Sequence, residues 1–112
     1  EERRAAGWPP FARLAALRAS ALQAAHAIAF LEAARARAAE SMRRGDAPVR
    51  LLGPTPAAMA RRADRHHAQL LIESTERSAL HRFLAAWLPE VEALPAARRV
   101  RYALDVDPLE LF

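Results

Sequence analysis

Between Ser20 and Gly45 the chain carries one segment, ALQAAHAIAFLEAARARAAESMRR, in which Ala24, Ile28, Leu31, Ala34, Ala38 and Met42 return at helical spacing on one stripe. A helix with a single apolar stripe must lay it against another layer, so this segment constrains what its neighbours can be. Ser20 is the expected N-cap and Gly45 the expected stop. A second stripe follows Ser74 and Thr75, both candidate caps: Leu80, Phe83, Leu84, Trp87, Leu88 and Val91 recur at 3.6-residue spacing. Pro89 falls inside it. Its missing donor and its ring against the preceding turn cost about 3 kcal/mol in an ideal helix interior, which predicts a kink or break there. Pro95 ends the element.

The segments around these helices are short and punctuated. At the end of the chain, RRVRYALDVDPLELF sets Val100, Tyr102, Leu104 and Val106 at one parity and Arg101, Ala103, Asp105 and Asp107 at the other. That is the alternation of a half-buried strand, stopped by Pro108. PVRLLG and AQLLIES are apolar runs bounded by Pro, Gly and charge, and read as strands. PTPAAMARRADRHH between them reads as a long basic connection. FARLAALRAS is ambiguous: its alanines favour helix, its brevity and the preceding Pro9-Pro10 favour strand. Read as a strand, it gives the order β-α-β-β-α-β, an α+β split βαβ (ferredoxin-like) plan with two helices on one face of a four-stranded sheet. Otherwise the chain is a mixed three-stranded α+β domain.

At 112 residues the chain is one domain, too short for a nucleotide-driven machine by itself. All 17 basic residues are arginine, and the formal net charge is +4, which favours phosphates or acidic peptides as partners. Cysteine is absent, excluding disulfides and thiolate metal sites. No run approaches the ~20 apolar residues of a membrane span, so a soluble protein is expected, and the lack of cysteine suits an intracellular one. The opening EERRAAGWPP has neither an initiator Met nor the pattern of a secretion signal, and reads as the start of a piece excised from a longer protein.

Catalytic patterns are thin. Of the four histidines, His26 and His81 lie on different helices, while the adjacent His66 and His67 point to opposite sides of any strand. The three glycines form neither a P-loop nor a dinucleotide fingerprint. Asp105 and Asp107 beside Arg99 and Arg101 make a metal-dependent hydrolase conceivable, but no third ligand is evident, and carboxylates on a solvated strand face account for them. No catalytic residue, bound metal or cofactor is predicted. Basic residues are better placed. Between Arg43 and Arg65 six arginines face only Asp46 and Asp64, a local excess of +4. A flexible hairpin loop bearing Arg61, Arg62, Arg65, His66 and His67 is therefore the candidate nucleic-acid contact. Arg77 and His81, one turn apart beside the second apolar stripe, are positioned to border an apolar groove and hold a carboxylate.

Three stretches carry a family resemblance: GWPPFARLAALRASA at residues 7–21, VRLLGPTPAAMARRADRHHAQLLI at 49–72 and LPAARRVRYALDVDPLEL at 94–111. In order and spacing they resemble the extreme C-terminus of the primosomal protein N′ (PriA) family of replication-restart helicases. That family shows a Gly-Tyr-Pro-Pro-Phe opening, a Leu-Gly-Pro-x-Pro strand end, an Arg-rich loop before Gln-Leu-Leu-Leu, and a terminal Asp-Val-Asp-Pro. The resemblance implies a lead-in from the helicase at 1–10 and a binding domain at 11–112, of ferredoxin-like fold akin to a small-subunit ribosomal protein. It tips the first segment to strand.

It further implies a non-catalytic part of an ATP-dependent 3′-5′ DNA helicase acting at the bacterial nucleoid, whose ATP, Mg and Zn sites lie outside this chain. The implied partners are single-stranded and fork DNA, the acidic, Phe-ending tail of single-stranded DNA-binding protein, and the helicase core. The family's basic and amide positions for that tail align with Arg77 and His81. His81 departs from the amide, and His66 and Ala68 replace aromatic residues found before the Gln in some relatives. The terminal aspartates are read as structural. An RNA-binding, ribosomal-protein-like domain is the alternative.

Overall fold

The computed structural model of the protein describes residues 13–43, 49–62 and 64–106, with the backbone alone at residue 43 and residues 57–62. The elements are β1 (Arg13–Ala21), α1 (Ala24–Arg43), β2 (Val49–Arg62), β3 (Arg65–Ser74), α2 (Arg77–Glu92), a 3-10 turn at Pro95–Arg99, and β4 (Arg101–Val106). The order is β-α-β-β-α-β, and the sheet runs β2-β3-β1-β4 with every pair antiparallel. The expectations that rest on the lead-in, Gly45, Asp107 and Pro108 lie outside the described residues.

The ambiguous first segment is a central strand. Ala15, Leu17 and Ala19 stand opposite Ile72, Leu70 and Ala68 of β3 on one face, and Leu17 and Ala19 stand opposite Leu104 and Tyr102 of β4. All the β1 and β3 members of this set are buried in the core shared with the helices. Its alanines belong there because small side chains let α1 approach the sheet closely. Tyr102 and Leu104 of β4 face the helices as the alternation predicts, whereas Val106 at the strand end is 42% exposed.

Two corrections concern caps. Ser20 does not start the first helix; it is buried in β1, paired with His67 and Arg101, and α1 begins only at Ala24. At α2 the N-cap residue is Glu76, and Ser74 supports the turn by accepting from the Glu76 N–H at 3.2 Å. The α1 stripe is also rotated: Ala27, Phe30, Leu31, Ala34 and Ala38 are buried, while Ala24 is exposed. Phe30 sets that rotation, its ring lying 5.0 Å from Tyr102. The α2 stripe is as expected, with Leu88 half-buried. Pro89 does not break α2, which runs on to Glu92. Trp87 locks the helices together, its indole N–H donating to the Ala34 carbonyl at 2.9 Å from a fully buried position.

The expected basic connection between the middle strands is itself strand. β2 extends to Arg62, and Arg61 and Arg62 pair with His66 and Arg65 across a tight turn containing Asp64 at φ 62°. Prolines disguised it. β2 is an edge strand, where Pro54 and Pro56 cost no ladder bond on the open side. The register slips twice, at Leu52/Thr55 and at Pro56/Arg61, so that residues 57–60 lie opposite His67 alone. Arg35 of α1 ties the first slip down by donating to the Gly53 carbonyl at 2.7 Å.

Candidate functional site

Arginine is charged at any physiological pH, so each one on this protein needs either a partner or open water. Arg50 is neutralised by Glu73 across the β2–β3 ladder. Arg18 of β1 lies 3.3 Å from Asp105 of β4, a half-exposed ion pair whose Nε does not reach hydrogen-bond geometry. Asp105 therefore balances Arg18, not the expected Arg99 or Arg101. Among the described residues no group of three His, Cys, Asp or Glu side chains is arranged to hold a metal ion.

The candidate DNA contacts separate. Arg61 and Arg62 are placed by their backbone at the tip of the β2–β3 arm. Arg65 turns back onto the sheet. Its Nε donates to Ser20 Oγ at 3.0 Å and its Nη2 to the Ser20 carbonyl at 2.9 Å, so the guanidinium is half-buried and bonded only to neutral acceptors. His66 and His67, opposite Ala21 and Ser20, project to alternate faces and are both half-buried. One arm therefore holds all five residues, as paired strands and not as a loop.

Because Ser20 also pairs with Arg101, the end of β1 brings Arg65 beside the start of β4, 36 residues further along the chain. Arg98 and Arg99, in the basic last turn of the 3-10 helix, join them. These three arginines were not singled out as a binding site from sequence. The signal was the run RRVR, which sequence alone read as the flank of a strand bearing two aspartates.

Arg77 and His81 open α2 and are both exposed. They lie one turn apart as expected, but Leu80 and Leu84 beside them are only 0% and 6% exposed. The apolar wall expected next to Arg77 is therefore turned into the core.

Comparison with known proteins bears on both fold and family. The family model described as the primosomal protein N C-terminal domain matches residues 4–109. Among solved structures, the de novo designed protein Foldit4 superposes with a TM-score of 0.55 at 10% identity, over 87% of this chain and 97% of that one. At that identity the likeness concerns the fold alone.

Proposed function

This chain belongs to the family of primosomal protein N C-terminal domains, and from that membership we propose that residues 11–112 form the binding domain of a PriA-like replication-restart helicase. In this reading it holds single-stranded and forked DNA without sequence preference and contributes Arg77 and His81 to the site for the acidic tail of single-stranded DNA-binding protein. The chemistry of unwinding, with its ATP, Mg and Zn, belongs to parts of the parent outside this chain.

The observation that carries the DNA reading is the arm. Around one turn Arg61 and Arg62 of β2 pair with His66 and Arg65 of β3, and His67 follows at the register slip, so that cations can follow a phosphate backbone. Anisotropy of labelled single-stranded and forked oligonucleotides across a salt series tests it, with an RNA strand of the same sequence as a parallel arm. Each phosphate neutralised on a single strand contributes about −0.7 to the slope of log K against log salt. Arg61→Ala with Arg62→Ala is expected to flatten the slope by roughly 1.4. An unchanged slope removes the arm from the DNA site, and tighter RNA binding favours the ribosomal-protein-like alternative.

For the tail, a terminal carboxylate would meet the Arg77 guanidinium in a charge-assisted contact, with His81 donating beside it. Because Leu84 is covered in this domain, an apolar seat for the terminal ring has to come from the helicase core packed alongside. Arg77→Ala is expected to weaken binding of a labelled acidic, Phe-ending peptide by about 1.5 to 3 kcal/mol in the parent helicase, and by less in the isolated chain. If neither Arg77→Ala nor His81→Ala changes peptide affinity in the parent, the assignment fails.

A further inference from the structure

At the end of the sheet where β1, β3 and β4 meet, a cavity of about 490 Å³ opens between the start of α1 and the 3-10 turn, lined by Leu22, His26, Arg65, Arg98, Arg99 and Arg101 among others, and no carboxylate is among its described lining residues. Among the described residues, the side chains of Arg98, Arg99 and Arg101 make neither an ion pair nor a hydrogen bond, and all three residues are exposed. Arg65 is fixed by the Ser20 hydroxyl and carbonyl, neither of which cancels its charge. Four guanidinium groups from three separate elements thus line one cavity with no carboxylate among its described lining residues. At such a cluster like charges repel, and the arrangement is relieved most when an external anion enters.

The shape points to an extended ligand. A second cavity of about 290 Å³, lined by His26, Ala29, Pro95, Ala96 and Arg99, shares two residues with the first, so the two form one track with His26 and Arg99 at the junction. Beside the cationic end stands Leu22, 69% exposed, and beyond the junction the wall is apolar. A polyanion with flat faces uses both features, phosphates on the guanidinium forks and bases against Leu22, His26 and Pro95. Arg65 also belongs to the β2–β3 arm, so a strand leaving the track continues toward Arg61 and Arg62.

We propose that the track between α1 and the 3-10 turn, with Arg65, Arg98, Arg99 and Arg101 as its cations, is a binding site for the phosphodiester backbone of single-stranded nucleic acid. It rests on the DNA-binding reading above, shares Arg65 with it, and adds Arg98, Arg99 and Arg101 as principal contacts that reading does not use. Arg65 is pre-set by Ser20, and the other three are free to close on phosphates.

The test uses the 112-residue chain, a labelled deoxythymidine strand of about 15 nucleotides, and a labelled Asp-rich peptide. Arg98→Ala, Arg99→Ala and Arg101→Ala together remove only exposed side chains. They are expected to reduce the magnitude of the single-strand salt slope by about 2, the contribution of three phosphates. The triple Arg→Lys variant is expected to keep the slope and lose the bidentate component of affinity, a drop of about tenfold at low salt. If the triple Ala variant keeps the wild-type slope while Arg61→Ala with Arg62→Ala flattens it, the track is not the site although DNA binding stands. Loss of the peptide with the strand unaffected overturns the choice of ligand. A wild-type chain that binds no strand at low salt removes the DNA reading itself, and this inference with it.

Discussion

Gly53 shows how a single residue decides the geometry of the arm. It has φ +106° at the first register slip of β2, and a Cβ there would stand 3.1 Å from both the Gln69 carbonyl oxygen and the Thr55 nitrogen. Both obstacles are backbone and cannot swing aside, so Gly53→Ala is expected to cost about 1 to 3 kcal/mol, read as a lower midpoint in urea unfolding. A midpoint within error of wild type would mean the slip relaxes at no cost. At Asp105 the expectation is the opposite. Its pair with Arg18 is half-exposed, and Asp105→Asn should change stability by less than about 1 kcal/mol. Calorimetric titration with Mg²⁺, Mn²⁺ and Zn²⁺ should be flat before and after the change; a stoichiometric site abolished by it would restore the hydrolase idea. Ser20 marks the limit of reading single residues. A serine just before a helical stripe looks like a cap, and nothing local tells that its hydroxyl is engaged by Arg65, 45 residues away.

At the scale of elements, periodicity was legible wherever side chains differ in size. The α2 stripe, built on Leu, Phe and Trp, was read almost residue for residue, and the alternation of β4 located Tyr102 and Leu104. α1 is rich in alanine, so several stripes fit it nearly equally well, and only packing of Phe30 on Tyr102 selects the one that buries Ala27 and leaves Ala24 outside. β2 escaped because its prolines and register slips erase both the alternation and the uninterrupted run that a strand normally shows. Pro89 carries the element-scale prediction. It deprives the Ala85 carbonyl of its helical donor, yet both residues lie on the exposed side of α2, open to solvent, and the helix continues to Glu92. Pro89→Ala restores the donor and removes the ring from the preceding turn, and should raise stability by about 1 to 2 kcal/mol in urea unfolding. A decrease would mean that the ring itself contributes packing to α2.

For the whole molecule, the fold redistributes the excess charge that a linear window counts. Such a window assigns a +4 excess to the stretch between Arg43 and Arg65, of which Arg50 is neutralised by Glu73 and Arg65 is folded back onto Ser20. The fold then gathers Arg65 with Arg98, Arg99 and Arg101, a grouping no linear window contains. The same topology separates this cluster from the candidate tail site. Arg65 begins β3, and Arg77 follows Ser74 at its other end. At about 3.3 Å per residue, the strand between them spans roughly 30 Å. Ionic screening at physiological salt acts over about 8 Å, so a bound strand at one end scarcely alters the potential felt at the other. Nucleic acid and acidic peptide should therefore bind together. Anisotropy of the labelled tail peptide against the parent helicase, repeated with saturating unlabelled deoxythymidine strand, should give affinities within about twofold at 0.15 M salt. A peptide affinity that falls tenfold or more when the strand is present would mean that the two ligands share one surface. The arginines at the β4 end, and not Arg77, would then be the group that holds the carboxylate.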